Sequence, residues 1–305
     1  MNRSLMVLVV CLVVVVTAYA QDPATDELIF LFDDFDYTAY DDETLIDNGW
    51  IVREGGGWPG VPDAVWRAEN VSFVPDPDDE ANTLLQMAST TDGTDTYQTQ
   101  ICHARKYYEG TYAARVRFSN APDDGRDGDQ VVQTFYLISP QEYDMDPNYS
   151  ELDFEYLPNG GWGSGPQTLF ATTWETFQLE PWIADNDSGI SQADYSGWHV
   201  LVIHIAEGET RYYIDGELIA NHSDEYYPEV PMSINFNLWF INGGFIHAST
   251  ERTYVEQIDW VLFLQNEVVE PAAILDWVDD LRADDVSFID TVPTWEPELV
   301  SPCDF

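Results

Sequence analysis

Short stretches of β-branched and aromatic residues recur along the chain, and clusters of Gly, Pro, Asn and Asp separate them. Stretches such as GTYAARVRFS, QVVQTFYLIS and MSINFNLWFI are typical of strands. In YYIDGELI, Asp215 and Gly216 supply a two-residue turn between apolar runs, which predicts a hairpin. Because no regular alternation of strands with helices is found, the pattern predicts an all-β fold, an antiparallel β-sandwich or jelly roll.

The first clear helical pattern lies near the C-terminus. Apolar residues from Ile274 to Leu281 have helical spacing, and Pro271 stands where a helix would begin. We therefore predict a short C-terminal helix followed by an irregular tail. The predicted organisation is one jelly-roll domain over residues 21–265, with the helix and tail of residues 266–305 packed on it.

Residues 1–20 have the features of a secretory signal peptide. Arg3 precedes an apolar run, and Ala18 and Ala20 form a small-x-small cleavage site. The apolar run is too short to cross a bilayer, although an uncleaved N-terminal anchor is the alternative. We therefore expect a secreted, extracellular protein that has no membrane partner after cleavage.

Cysteine usage agrees with export. Cys11 belongs to the predicted signal, so Cys102 and Cys303 remain in the mature chain. An even pair in an oxidising compartment indicates one disulfide that ties the C-terminal tail to the body of the domain. Two free, buried thiols are the alternative.

The charge of the chain restricts its partners. Eleven Lys and Arg residues stand against 56 Asp and Glu residues, which gives a net charge of -45. Nucleic acid is excluded because phosphate binding needs a basic surface, and anionic lipids or glycans would be repelled. A neutral substrate fits better, and we expect a monomer. Such self-repulsion must be screened, which indicates a salty or cation-rich habitat and a halophilic, acidic surface.

One acidic row stands out by its context. In SELDFEYL, Glu151, Asp153 and Glu155 alternate with Leu, Phe and Tyr, so a strand would bring all three carboxylates to one face. Two other rows have the same spacing but are interrupted by prolines and indicate loops. Those rows are Asp76, Asp78 and Glu80, and Glu142, Asp144 and Asp146. The alternative for the first row is the solvent face of an acidic strand.

Two carboxyl groups on one face suit a glycosidase. A retaining mechanism needs a nucleophile and a protonated acid about 5–5.5 Å apart. The Cα atoms of Glu151 and Glu155 would lie about 13 Å apart in a strand, and their side chains could lean together across a curved sheet. Asp153 between them could separate the two pKa values. Spacing alone leaves open which Glu has which role.

Tryptophan is abundant, with 11 residues in the chain. Trp162, Trp174, Trp182 and Trp239 follow the acidic row and could border a cleft, where flat rings stack on sugars. Packing in the core of a sandwich is the alternative for each of them.

Together these motifs resemble glycoside hydrolase family 16, a β-jelly-roll family of endo-acting β-glucanases, galactanases and transglycosylases. SELDFEYL resembles the E-x-D-x-E active-site strand of the family. GWHVLVIHIAEGETRYYIDGELI is similar to its Trp-His strand and hairpin, INFNLWF to its NLW strand and QIDWVLF to its closing strand. The resemblance covers roughly residues 28–265.

The resemblance implies roles for individual residues. Glu151 would be the nucleophile, Glu155 the general acid/base and Asp153 the assisting carboxylate. Trp239 in the NLW motif would be a substrate platform, and we place Asn237 of the same motif with the substrate-binding residues, together with Trp162 and Trp174.

The resemblance also implies cofactor use and a substrate class. Asp259 matches a structural calcium ligand of some members, whereas catalysis needs no cofactor. The expected substrate is a β-glucan with β-1,3/1,4 or β-1,3 linkages. The uninterrupted motif looks like the lichenase and xyloglucan-transglycosylase branch, whereas the laminarinase branch more often carries an extra residue before the last Glu. Ser150 stands where that branch usually has an acidic residue. Transglycosylase or galactanase activity, and a non-catalytic carbohydrate-binding jelly roll, are the alternatives.

Overall fold

The computed structural model of the protein describes residues 28–300 and Cys303, so the predicted signal peptide at residues 1–20 lies outside the described residues. This part of the chain contains two α-helices, α1 (Glu43–Asp47) and α2 (Ile274–Ala283). Its strands are β1 (Phe30–Asp33), β2 (Trp50–Val52), β3 (Val65–Trp66), β4 (Val71–Pro75), β5 (Thr83–Thr91), β6 (Thr96–His103), β7 (Gly110–Phe118), β8 (Val131–Ile138), β9 (Glu151–Leu157), β10 (Thr168–Gln178), β11 (Ile183–Gln192), β12 (Gly197–Ala206), β13 (Glu209–Ile214), β14 (Glu217–Ser223), β15 (Ser233–Phe240), β16 (Arg252–Gln265) and β17 (Phe288–Asp290).

Strand pairing arranges most of these elements in two sheets. The first sheet has the order β2-β6-β15-β8-β9-β10-β11. The second sheet has the order β17-β1-β16-β7-β12-β13-β14, and β5 and β4 extend it beside β16. These pairings are antiparallel, and only the short β3 runs parallel to its partner β6 among the described pairs. The predicted all-β antiparallel fold is confirmed.

The main core lies between the two sheets. On β9, Leu152, Phe154 and Tyr156 are fully buried and belong to the same apolar cluster as Phe236 of the first sheet and Leu201 of the second. Burying these apolar side chains stabilises the sandwich by about 1.5–3 kcal/mol each. Because side chains of a strand alternate between faces, the opposite face of β9 is left free for polar groups.

The hairpin is confirmed at the predicted position. β13 and β14 pair with Ile214 opposite Glu217, and Asp215 and Gly216 form the turn. Both turn residues have positive φ, 49° and 83°, as the tight turn of a right-twisted hairpin requires.

The predicted short C-terminal helix is also confirmed, as α2. Its Ile274 and Val278 are buried against Trp260 and Leu262 of β16, so the helix covers the outer face of the second sheet. The strand β17 then pairs with β1 and continues the same sheet. Among the described residues, no helix is both long enough and apolar enough to cross a membrane.

Two elements have no counterpart in the sequence pattern. The five-residue helix α1 is too short to show periodicity, and its N-terminus is capped by the Asp42 side chain, which accepts a hydrogen bond from the Thr44 amide. The strand β11 has the polar sequence IADNDSGISQ, which contains turn-forming residues. It forms a strand because it pairs with β10 along most of its length, and β-propensity yields to such pairing.

Candidate active site

A cleft of about 770 Å³ lies on the face of the first sheet that points away from the core. The strand β9 runs through its middle, with β8 on one side and β10 on the other. Alternation along β9 brings Glu151, Asp153 and Glu155 to the cleft. The three carboxylates that the sequence places on one strand face are therefore together in this cleft. Ser150 is buried and lies outside the cleft lining.

Burial is the main cause of the raised pKa values of these three carboxyl groups. Desolvation raises the pKa of Glu151 and Glu155, and it raises the pKa of Asp153 well above its usual range. The charge of Glu151 raises the pKa of both other groups further. The three carboxyl groups together therefore carry less negative charge near neutral pH than three isolated carboxyl groups would.

Hydrogen bonds separate the two glutamates. The Tyr149 hydroxyl donates to Glu151 Oε2 at 2.5 Å, and this bond lowers the pKa of Glu151 against the effect of burial. No described residue donates a hydrogen bond to the Glu155 carboxyl, whose pKa is raised by desolvation and by Glu151. Trp174 Nε1 donates to Asp153 Oδ2 at 3.0 Å. Glu151 is therefore the carboxyl that ionises more readily, and Glu155 the one that keeps its proton to higher pH.

The four tryptophans that sequence analysis singled out all line the cleft. Trp162 is 53% exposed and its ring centroid lies 5.9 Å from that of the buried Trp239. Trp182 is 56% exposed and lies 6.2 Å from Trp174. Exposed indole rings on a cleft wall offer flat apolar surfaces to a ligand.

The floor of the cleft extends to both sides of β9. We call the part over β8, β15 and β6 the β6 arm, and the part over β10 and β11 the β11 arm. The side chains that line the arms are Thr134, Tyr136, Asn237 and Gln100 in the β6 arm, and Phe170, Thr172, Asn186 and Ser188 in the β11 arm.

Several of these residues were not predicted. Trp58 is 55% exposed at the rim, and Arg53 and Gln100 lie in the β6 arm. Their stretches in the sequence show neither acidic nor aromatic rows. Tyr149 immediately precedes the predicted strand, and its position two residues before Glu151 is the one signal that could have indicated it.

The structure brings Cys102 and Cys303 together in a disulfide, with their Cα atoms 5.8 Å apart. Cys303 is one of the residues that line the cleft. Cys303 therefore lies in the β6 arm, because Cys102 belongs to β6.

Asp259 lies in the second sheet, away from the cleft. Its carboxylate accepts hydrogen bonds from Arg115 Nη1 at 2.6 Å, Arg282 Nη2 at 2.8 Å and Asn82 Nδ2 at 2.7 Å. Calcium needs six to eight oxygen ligands, and two guanidinium groups repel it. The residues around Asp259 do not fit the calcium ion that the resemblance implies. In residues 28–300 and at Cys303, no three His, Cys, Asp or Glu side chains group to hold a metal.

Replacing Arg282 with Met is expected to lower the free energy of unfolding by about 2–3 kcal/mol, because it leaves two largely buried carboxylates without that cation. Arg282 binds both Asp34 and Asp259. Arg126→Met, at an exposed loop position, is the matched control. Urea unfolding measures both variants. If Arg282 and not a metal ion stabilises the carboxylate of Asp259, EDTA should leave the melting temperature of the wild type unchanged. A melting temperature that falls on addition of EDTA would contradict this.

Comparison with known proteins agrees with this geometry. The family model described as glycosyl hydrolases family 16 matches residues 62–262. A search of curated proteins finds no significant match. Among solved structures, a Bacillus licheniformis β-glucanase has a TM-score of 0.57 at 15% identity, with 78% of this chain and 98% of that chain covered.

Two further solved structures have the same fold. A family 16 protein from a Bacteroides ovatus mixed-linkage glucan locus, solved with a G4G4G3G product, has a TM-score of 0.58 at 15% identity and covers 75% of this chain and 98% of its own. A prokaryotic β-1,3-1,4-glucanase from a mouse hindgut metagenome has a TM-score of 0.54 at 19% identity, with coverages of 77% and 98%. The family match extends over most of the chain and includes the strand that carries the three carboxylates. The protein belongs to glycosyl hydrolases family 16 and is a glycoside hydrolase with a jelly-roll fold.

Proposed function

We propose that the protein is a secreted, retaining, endo-acting hydrolase of β-glucan-type polysaccharides with β-1,3/1,4 or β-1,3 linkages. The observation that carries the proposal is the asymmetry of the two glutamates on β9. Tyr149 donates to Glu151, whereas Glu155 lacks a donor among the described residues. A retaining glycosidase needs this difference between an ionised nucleophile and a protonated acid.

In the first step, the ionised Glu151 attacks the anomeric carbon and forms a glycosyl-enzyme ester. Glu155 transfers its proton to the glycosidic oxygen, and the C–O bond to the leaving sugar breaks. The raised pKa of Glu155 keeps that proton in place near neutral pH. This assignment agrees with the roles that the family resemblance implies for the two residues.

In the second step, Glu155 has lost its proton and acts as a base. It takes a proton from water, whose oxygen attacks the anomeric carbon from the face that the leaving group vacated. The ester bond to Glu151 breaks, so the sugar is released with its original configuration. Asp153, whose pKa burial raises well above its usual range, stays neutral and adds no third charge beside the reacting carboxyls.

A neutral glucan suits both the cleft and the charge of the protein. The net charge of -45 repels anionic polymers. The exposed indoles of Trp162 and Trp182 suit the flat faces of sugar rings, while Asn237 and Thr134 in the β6 arm offer polar groups to hydroxyls. The relatives named above, described as glucanases, support the same substrate class.

Transglycosylation is the second candidate, since a sugar hydroxyl can replace water in the second step. Galactanase activity would use the same carboxyls. A non-catalytic binding module is the least favoured, because a binder needs no pair of carboxyls with separated pKa values. Secretion and a monomeric state remain proposals from the sequence.

The test is a panel of purified β-glucans, xyloglucan and galactans, incubated with the protein at low and high salt. Products are sized, and proton NMR follows the anomer that appears first. We expect oligosaccharides of the β configuration from a β-glucan. Release of the α anomer first would contradict the two-step mechanism, and no cleavage of any glucan would contradict the substrate class.

Replacing Tyr149 with Phe is expected to move the acid limb of the kcat/KM profile upward by about one pH unit. The hydroxyl stabilises the ionised form of Glu151 and so lowers its pKa. Without it the pKa rises, and activity that needs the carboxylate is lost at a higher pH. Tyr143→Phe, at a position that is 57% exposed, is the matched control. Equal profiles for the two variants would show that Tyr149 has no part in tuning Glu151.

A further inference from the structure

The C-terminal tail passes from the second sheet to the cleft face of the first. After β17, the Val292 carbonyl accepts a hydrogen bond from Lys106 Nζ at 2.9 Å, and Trp295 Nε1 donates to the Lys106 carbonyl at 3.2 Å. Cys303 then joins Cys102 on β6. Lys106 lies just beyond the end of β6, so the described part of the tail follows the side of the domain and reaches the β6 arm at Cys303.

The position of the disulfide within the cleft follows from strand register. Cys102 pairs with Asn235, Asn235 with Tyr136, and Tyr136 with Asp153. Cys102 therefore lies on the same cross-strand row as Asp153, three strand spacings away. At about 4.8 Å per spacing, Cys102 lies about 14 Å from Asp153. The floor between them consists of the two strands β15 and β8 and is about 10 Å wide.

Two buried polar side chains of this floor lie beside Cys303 and its disulfide partner Cys102. Gln100 Nε2 donates to the Cys303 carbonyl at 2.9 Å and to the Tyr136 hydroxyl at 2.8 Å. Asn235 faces the cleft side, because its neighbour at i+2, Asn237, lines the cleft. Gln100 is 1% exposed and Asn235 is 0% exposed. The Asn235 Oδ1 atom is buried without a hydrogen-bond partner in the described part of the chain.

We propose that Cys303, held by the disulfide, is a wall that determines how many sugar units the β6 arm accepts. Gln100 and Asn235 form a further position for a sugar, which Cys303 and the disulfide keep covered. The inference rests on the proposed function, since it assigns the length of the glycan bound in the same cleft. A buried, unpaired amide oxygen is costly, and a sugar hydroxyl donating to Asn235 would satisfy it.

The covalent bond is what holds the wall in place. It closes a loop with a sequence separation of 201 residues and links Cys303 directly to β6. Earlier in the tail, the indole of Trp295, 47% exposed, donates a hydrogen bond to the Lys106 carbonyl. Loss of the disulfide is expected to free Cys303 to leave the floor, because the hydrogen bond from Gln100 to its carbonyl is worth only about 1 kcal/mol.

The experiment compares the wild-type protein with Cys102→Ser/Cys303→Ser on a series of β-glucan oligosaccharides of increasing length. Within each protein, kcat/KM is divided by its value for the shortest oligosaccharide that is cleaved, so a general loss of activity does not affect the comparison. We expect the wild-type ratio to level off at a short length. For the variant, the ratio is expected to level off at an oligosaccharide at least one sugar unit longer, at a value about three- to tenfold higher. One new neutral hydrogen bond gives a gain of this size.

A second measurement keeps the proposal testable if the variant folds poorly. Wild-type protein treated with a phosphine reductant, with near-UV circular dichroism as the check on folding, should level off at the same longer length. The reductant should leave the double variant unchanged, because that variant has no disulfide. Identical plateaus in oxidised wild type, reduced wild type and variant would overturn the wall but not the proposed function. Wild-type protein that cleaves no glucan would overturn both.

Discussion

Replacing Glu151 with Ala is expected to lower kcat on a β-glucan by about 10⁴-fold or more, because a nucleophile that forms the covalent intermediate is lost. Of the two glutamates in the cleft, Glu151 is the one that accepts a hydrogen bond from a described residue, Tyr149. Its ionised form is therefore the better stabilised of the two glutamates. The measurement is initial rate of reducing-end formation, at matched concentrations of protein whose circular dichroism equals that of the wild type.

Rescue of activity with azide tests whether Glu151 acts as the nucleophile, which a loss of activity alone does not show. In the Ala variant, the small anion can enter the space that the side chain leaves and attack the anomeric carbon from that face. An oligoglucoside with a dinitrophenyl leaving group should then give the α-glycosyl azide, with inverted configuration. Glu80→Gln, in one of the acidic rows interrupted by proline, is the control and should keep wild-type activity. A β-azide from the Glu151 variant would contradict its assignment as nucleophile.

The strand that carries the carboxylates could be predicted from the sequence for a physical reason. Apolar residues at every second position require one buried face, so the carboxylates between them have to share the other face. Leu152 and Phe154 are fully buried in the structure, while Glu151 and Glu155 line the cleft. The turn at Asp215 and Gly216 could be predicted for a similarly local reason, since few residues accept positive φ.

The rest of the site depends on pairing between distant segments. Gln100 lies beside Asn237 because β6 pairs with β15, and Asn186 lies opposite Trp174 because β11 pairs with β10. No local pattern encodes these registers. The environment of Asp259 is another such case, since one of the two cations that bind it, Arg282, comes from the helix α2. A motif can identify the aspartate, but Arg282 lies outside the segment that resembles the family.

Replacing Glu155 with Ala is expected to lower kcat/KM on a β-glucan by about 10²–10⁴-fold, the usual contribution of a general acid. The effect should depend on the leaving group. A dinitrophenyl leaving group needs no proton, so its release from the variant should stay fast in a first burst. The glycosyl ester on Glu151 should then accumulate, because no base activates water in the second step. Mass spectrometry of the intact protein measures this ester directly.

The pH profile and the azide product separate this variant from the one at Glu151. In the wild type, Glu155 must hold its proton, and desolvation together with the charge of Glu151 raises its pKa. Activity therefore persists to a higher pH than an ordinary glutamate allows and falls once Glu155 ionises. The variant should lose this basic limb on the activated substrate. Azide should attack the ester from the face opposite Glu151 and give the β-glycosyl azide. A basic limb that persists, or an α-azide, would mean that another group supplies the proton.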